Sequence, residues 1–438
     1  IALIHYMRLL LILAHAANLN IRHSHEYITT AKGGGFSRTN KNYGADFKYE
    51  QFEPMFKAEM FDPGQWAEIL KNSGAKYVVL TSKHHEGYCL WNSPEADRDW
   101  GHAWNAVTGT SKRDLLGDLT AAAVRNAGLK MGYYYSLYEW FNPLWLKDKK
   151  RFATEHMIPQ LTGLVNKYKP SLIFADGEWD LPDTAWHSLE FLTWLFNESA
   201  VKDEVVVDDR WGSNSRANNK GAMYVTSEYG SGMDKNVAWE QCEGVGHSFG
   251  YNRNEKLEDY KTSRDLILML IDVVSRGGNL LLDIGPTADG RIPVIMQQRL
   301  ADIGAWLKTN GDAIYGTKPY TQPYQWSEGK LPAKNKKGGE FMGAYSVSEL
   351  IKPKKDSAHI EMFFTEKGKD LFCILPVFQA KIILKNFTAN AASSAIILGA
   401  DKTFKPKNTG SDCMIDLSEI KPAEVPGELL VLKIKDAL

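Results

Sequence analysis

Short apolar runs alternate with amphipathic stretches between about residue 64 and residue 316. The apolar runs have the length of strands buried on both faces, whereas the stretches between them carry the helical period of about 3.6 residues. The pattern predicts six strands, at residues 75–85, 129–136, 171–176, 205–212, 222–230 and 279–286. It predicts helices at residues 64–74, 112–128, 152–168, 189–199, 259–277 and 294–316. This α/β alternation favours a closed (β/α)8-like, TIM-type barrel over an open sheet.

The pattern changes after residue 316. Residues 317–340 are rich in Pro, Gly and Lys, a composition typical of a linker or an exposed loop. Short strands of period two follow without intervening helices, at residues 359–366, 370–377, 381–387, 394–400, 412–418 and 428–435. They predict a C-terminal antiparallel β-sandwich. We therefore expect two domains, a catalytic barrel over residues 1–320 and a β-sandwich over residues 321–438.

Residues 9–16, LLLILAHA, follow Arg8 and resemble the apolar core of a signal peptide. We expect an ordered strand or helix here instead of a cleaved leader. No run of about 20 apolar residues predicts a transmembrane helix.

Charge and composition narrow the classes of partner. Lys and Arg total 52 against 53 Asp and Glu, a net charge of −1, so nothing favours a nucleic acid or an anionic membrane as partner. Aromatic residues make up 11% of the chain, which suits the flat apolar faces of sugars. The cysteines show no CxxC spacing, so we expect buried free thiols at Cys89, Cys242, Cys373 and Cys413.

Polar residues stand where the predicted strands end: His84, His85, Tyr135, Asp176, Arg210 and Glu228. Catalytic side chains collect at the carboxyl ends of barrel strands. Hydrolysis of a glycosidic bond needs two carboxyl groups, and Asp176 and Glu228 come from separate strand ends. Simpler roles exist for each residue. Asp176 could cap a helix, and Arg210 could pair with a neighbouring aspartate. The adjacent histidines have no third metal ligand nearby, so we expect no metal.

Several runs resemble the α-L-fucosidases of glycoside hydrolase family 29, over about residues 44–320. They are TSKHHEGYCLW (81–91), FADGEWD (174–180), DDRWG (208–212), SFGYNRNE (248–255) and RGGNLLLDIGPTADGRIP (276–293). The resemblance implies a retaining exo-α-L-fucosidase without metal or cofactor. Its substrate would be a fucosylated oligosaccharide or glycoconjugate, and its location would be periplasmic, secreted or lysosomal.

The resemblance also implies roles for single residues. Asp176 would be the nucleophile, and Glu228 the acid/base, with Glu240 on a following loop as its alternative. Glu178 is too close in sequence to Asp176 to be the partner acid. Arg210 would orient the nucleophile and the neighbouring acid. The substrate-binding residues would be His84, His85, Tyr135, Trp179, Phe249 and Trp91, with His5 and Glu26 as counterparts of a fucose-binding His and Glu.

Two alternative functions remain open at this point. One is a non-catalytic fucose-binding protein, and the other is a retaining glycosidase for another sugar, such as an α-galactoside. The sequence does not determine linkage preference. The sequence is compatible with a monomer and with a homo-oligomer.

Overall fold

The computed structural model describes residues 11–14, 44, 46–216, 223–228, 237–332, 347–400, 402–425 and 429–438. Eight parallel strands, β1 to β8 in chain order, form a closed barrel, in which β1 pairs with both β2 and β8. Their bounds are β1 Leu11–Ala14, β2 Tyr77–Lys83, β3 Lys130–Ser136, β4 Leu172–Asp176, β5 Val206–Asp208, β6 Met223–Glu228, β7 Trp239–Gly244 and β8 Asn279–Ile284. The predicted barrel is confirmed.

Helices connect the strands of the barrel. They are α1 Pro63–Asn72, α2 Pro94–Trp100, α3 Leu115–Ala121, α4 Pro143–Lys147, α5 Lys149–Phe152, α6 Ile158–Tyr168, α7 Ser188–Asn197, α8 Ser263–Ser275 and α9 Val294–Asn310. Local sequence sets several of the ends. The side chain of Asp62 accepts the Gln65 N–H at the start of α1, and α3 continues as a π-helical turn that ends at Gly128, where φ is +68°.

Strands β7 and β5 of the barrel differ from the prediction. Strand β7 was not predicted, because Glu240, Gln241 and Glu243 interrupt its apolar character although all three are buried. Strand β5 covers residues 206–208 only, fewer than the predicted 205–212. The apolar segment at residues 9–16 contains β1, in agreement with an ordered element there.

Alternate residues of each strand face opposite sides of the barrel wall. The inward side chains of the strands form an apolar cluster together with Phe249, which follows β7. The strand members are Tyr77, Val79, Tyr134, Leu172, Phe174, Val206, Tyr224, Cys242 and Leu281. Their neighbours in sequence, such as Val78, Tyr135 and Ile173, belong to the larger core that includes the helices. This parity decides which side chains can reach the barrel mouth.

The C-terminal region is the predicted antiparallel sandwich. One sheet has the order β14-β13-β17-β11-β10-β9 and the other β12-β16-β15. The bounds are β9 Lys318–Trp326, β10 Ile360–Lys367, β11 Asp370–Leu375, β12 Lys381–Leu384, β13 Ser394–Ile397, β14 Thr403–Phe404, β15 Lys407–Thr409, β16 Asp412–Asp416 and β17 Leu430–Lys435, with a short helix α10 at Val347–Leu350. The sandwich has a core of its own, and Ile360 and Phe363 of β10 also pack in the barrel core.

The prediction of a linker or exposed loop at residues 317–340 is wrong for the first part of this segment, because strand β9 occupies Lys318–Trp326. Pro319 and Pro323 are tolerated because β9 is an edge strand, which among the described residues pairs with β10 alone. We therefore propose that the second domain begins at Lys318. All four cysteines are buried free thiols. Within the described part of the chain, no helix is both long and apolar enough to cross a membrane.

Candidate active site

Asp176 is the last residue of β4, and its carboxylate is held on both oxygens. Arg210 donates from Nη1 to Oδ1 at 2.9 Å, and Tyr134 donates its hydroxyl to Oδ2 at 2.6 Å. Nε2 of His85 lies 3.6 Å from Oδ2. Burial alone would raise the pKa of Asp176, but the charges of Arg210 and His85 and the Tyr134 hydrogen bond hold this pKa well below its usual range. The carboxylate is therefore ionised and oriented.

Arg210 also reaches the second carboxylate. Its Nη2 lies 2.6 Å from Oε1 of Glu228, the last residue of β6, whose side chain is 19% exposed. The Nε of Arg210 donates to Oγ1 of Thr226 at 2.9 Å, and that hydroxyl donates to Oδ1 of Asp209 at 2.9 Å. One buried guanidinium therefore fixes Asp176 and Glu228 relative to each other.

The hydrogen bonds of His85 define its tautomer. Its Nδ1 lies 2.7 Å from Oγ of Ser136, and that hydroxyl donates to the carbonyl oxygen of Tyr138 at 2.8 Å. Because the serine proton is used there, Nδ1 of His85 must donate to Ser136. Nε2 then faces Asp176, where it can form a hydrogen bond with a sugar hydroxyl.

His84 lies beside His85, with ring centroids 3.9 Å apart, and stacks on Tyr134 at 5.6 Å. Its Nδ1 is 3.4 Å from Oε2 of Glu86. Burial raises the pKa of Glu86 to about 8. Both histidines are buried at the end of β2, on the same side of the barrel as Asp176.

An aromatic wall consisting of Tyr138, Trp140 and Trp179 surrounds His85. The ring centroid of His85 lies 5.0, 5.2 and 5.4 Å from those of the three residues respectively. Trp179 is 49% exposed, which places its indole at the opening of the site. Such a wall suits the apolar C–H face of a sugar.

Glu178 is buried and points to a different partner from Asp176. Its Oε1 accepts from Nε of Arg216 at 2.5 Å, and Nη2 of Arg216 lies 3.8 Å from Asp176. Burial and the charge of Asp176 raise the pKa of Glu178. Arg216 thus gives Asp176 a second positive neighbour.

The structure places two of the expected substrate contacts, Tyr135 and Trp91, in the core that the strands share with the helices. Tyr135 faces away from the barrel interior, and its hydroxyl donates to Oε1 of Gln160 at 2.7 Å, because Tyr134 takes the inward position of this strand. Trp91 is 3% exposed and packs in the large core with the helices. Phe249 is buried in the inward cluster of the barrel. His5 and Glu26, the other two predicted fucose-binding residues, lie outside the described residues.

Glu240 does not occupy the expected loop. It is the second residue of β7, and its Oε2 accepts from the hydroxyl of Tyr77, the first residue of β2, at 2.6 Å. Both residues lie at the amino ends of their strands, the end of the barrel opposite Asp176. Burial raises the pKa of Glu240 to about 7.

The sequence prediction missed Tyr134 and Arg216. Alternation along β3 points to Tyr134 once the register of the strand is known. Ser136 pairs with Asp176, and Tyr134 lies on the same face of β3 as Ser136. Nothing in the sequence near Arg216 marks it as a neighbour of Asp176. Across the residues that the structure describes, no three His, Cys, Asp or Glu side chains are grouped so as to hold a metal ion.

Residues 18–312 match the family model described as alpha-L-fucosidase. The chain belongs to the α-L-fucosidase family. This fucosidase-family chain is 38% identical over 399 residues to the tissue alpha-L-fucosidase of Bos taurus. The aligned region covers 89% of this chain and 77% of the Bos taurus protein. It is 46% identical over 287 residues to an alpha-L-fucosidase of Branchiostoma floridae, covering 64% of this chain. That match spans 63% of the length of the Branchiostoma protein.

Solved structures of family members share the fold of this fucosidase-family chain. Thermotoga maritima alpha-fucosidase in complex with a mechanism-based inhibitor aligns with a TM-score of 0.77 and 28% identity, covering 98% of this chain and 95% of that one. The same enzyme in complex with fucose aligns with a TM-score of 0.75 and 27% identity, covering 98% and 96%.

Proposed function

We propose that this chain is a retaining exo-α-L-fucosidase that hydrolyses terminal α-L-fucose from glycans by double displacement. One observation carries the proposal: Arg210 contacts both Asp176 and Glu228 in a chain of the α-L-fucosidase family. Retaining glycosidases hold their two carboxyl groups about 5–5.5 Å apart. A single guanidinium that contacts both groups supports that spacing.

In the first step, an oxygen of Asp176 attacks the anomeric carbon of fucose and the bond to the leaving oxygen breaks. Glu228 gives its proton to that oxygen, and a covalent fucosyl-enzyme forms. In the second step, Glu228 takes a proton from water, whose oxygen attacks the anomeric carbon and releases Asp176. Two inversions leave the configuration of fucose unchanged.

The surroundings of Asp176 support binding of one terminal sugar. Nε2 of His85 can form a hydrogen bond with a fucose hydroxyl, and His84 lies beside it. The rings of Trp179 and Phe249 offer apolar surface for the sugar. We propose a fucosylated oligosaccharide or glycoconjugate as substrate, and a periplasmic, secreted or lysosomal location, because such glycans lie outside the cytoplasm.

The test is Asp176→Asn, assayed with 4-nitrophenyl α-L-fucoside. We expect kcat to fall by about a thousandfold or more with an unchanged melting temperature. Asp180→Asn is the matched control, since Asp180 is half-exposed and pairs with Lys149 on the surface. If the activity of Asp176→Asn lies within tenfold of wild type, Asp176 is not the nucleophile. A wild type that binds fucose without turnover indicates a fucose-binding protein, and preference for 4-nitrophenyl α-galactoside indicates another glycosidase.

A further inference from the structure

A buried network of four charged or titratable side chains lies behind the histidine pair. Oε1 of Glu139 lies 2.8 Å from Nζ of Lys83 and 2.8 Å from Nε2 of His156, and Nδ1 of His156 lies 2.6 Å from Oδ2 of Asp99. The side chains of Lys83, Glu139 and His156 have no exposed surface. Burying such groups costs free energy that their mutual attraction offsets only in part, so stability alone gives little reason for the network.

The network supports the turn that carries both histidines. The Gly87 N–H donates to the carbonyl of His84 at 3.0 Å, and Gly87 has a φ of +81°. A Cβ at Gly87 would lie 2.4 Å from Oε2 of Glu139, so the carboxylate packs directly against the backbone of this turn. The turn of residues 84–87 therefore packs against the side chain of Glu139.

The neighbours of Glu139 in sequence hold the same turn. The backbone N–H of Trp140 donates to the carbonyl of His85 at 2.8 Å. Oε2 of Glu139 accepts from Nδ2 of Asn142 at 2.8 Å, which fixes the carboxylate within its own loop. On the other side, Lys83 immediately precedes His84, and its ammonium lies 4.2 Å from the ring centroid of Tyr135.

We propose that Glu139 is a positioning residue for fucose, acting through the turn of residues 84–87 to hold the imidazoles of His84 and His85 in place. The carboxylate ties the end of β2, through Lys83, to the loop after β3 that carries Tyr138 and Trp140 of the aromatic wall. This inference rests on the proposed function, because it takes the two histidines as fucose ligands.

The test compares Glu139→Gln with Glu155→Gln. Both changes replace a carboxylate by an amide of the same shape, but Glu155 is an exposed partner of Arg151 and lies next to His156 in the chain. For each variant the melting temperature, the Kd of fucose, and kcat and KM on 4-nitrophenyl α-L-fucoside are measured well below the melting temperature. We expect Glu139→Gln to raise the Kd of fucose and KM by about tenfold or more, with a smaller change in kcat. Glu155→Gln should match wild type.

A folded Glu139→Gln protein with a fucose Kd and KM within twofold of wild type overturns the inference, even if its melting temperature falls. If Glu139→Gln does not fold, the double variant Lys83→Met/Glu139→Gln removes the unpaired buried cation and is judged by the same criteria. Absence of hydrolysis by wild type and by Glu155→Gln rejects the proposed function instead, and the fucose Kd then still decides the role of Glu139.

Discussion

Tyr134 donates its hydroxyl proton to Oδ2 of Asp176 at 2.6 Å, across the pairing of β3 with β4. Tyr134 lies on the strand beside that of Asp176, and its ring also stacks on His84. A hydrogen bond to a charged group contributes about 1.5–3 kcal/mol. Tyr134 thereby stabilises the ionised carboxylate of Asp176 and sets its direction.

We expect Tyr134→Phe to lower kcat/KM by about 10- to 100-fold, the rate equivalent of one charge-assisted hydrogen bond. Tyr135→Phe is the matched control, because its hydroxyl faces Gln160 in the helix layer. Steady-state kinetics of both variants on 4-nitrophenyl α-L-fucoside make the measurement. Equal losses in the two variants would contradict the assignment of Tyr134.

The three adjacent tyrosines of β3, residues 133–135, show which structural features the sequence predicts and which it does not. The apolar pattern predicts a strand at residues 129–136, and the structure has β3 at Lys130–Ser136. Alternation implies that Tyr134 faces one side and Tyr133 and Tyr135 the other, but it does not say which side is the barrel interior. Pairing of Ser136 with Asp176 decides this, and such register between strands depends on the closed barrel as a whole.

Glu228 and Glu240 should respond differently to azide. With the activated 4-nitrophenyl leaving group, loss of the acid/base mainly slows attack of water on the fucosyl-enzyme, and azide needs no base to attack. We expect azide to raise the turnover of Glu228→Ala by about tenfold or more and to give fucosyl azide. Glu240→Ala should show no such gain, since Glu240 bonds Tyr77 at the opposite end of the barrel. Rescue of Glu240→Ala alone would reverse the assignment.

Replacement of Arg210 should shift the acid limb of the pH profile. Arg210 is the first of the groups that hold the pKa of Asp176 below its usual range against the effect of burial. A lysine carries the charge but cannot contact both carboxylates with a planar fork. In Arg210→Lys, the pKa of Asp176 should therefore rise, and kcat/KM should fall at a higher pH on acidification than in wild type. An unchanged acid limb in the profile of kcat/KM against pH would contradict this.

Buried polar residues explain most of what the sequence prediction missed. Strand β7 contains three buried polar residues, Glu240, Gln241 and Glu243, although a buried strand is expected to be apolar. Burial also raises the pKa of Glu243 to about 7, so its environment differs from that of a surface carboxylate. Strand ends were easier, because the change from apolar to charged at Asp176 is visible in the sequence. Contacts such as that of Arg216 with Glu178 depend on loop packing, which no local pattern encodes.

The pH dependence of stability should report the charge of His156. Although burial would lower it, Glu139 and Asp99 raise the pKa of His156 above its usual value, and the pKa of each carboxylate is lowered in return against the effect of burial. A histidine with a raised folded pKa contributes stability that is fully present below its unfolded pKa of about 6.5 and is lost as pH rises through the folded pKa. The free energy of unfolding should therefore be higher in wild type than in His156→Gln. This difference should be largest below about pH 6.5 and should shrink as pH rises. Urea denaturation of both proteins across this range makes the measurement, and a difference that grows with pH would show that His156 is buried neutral.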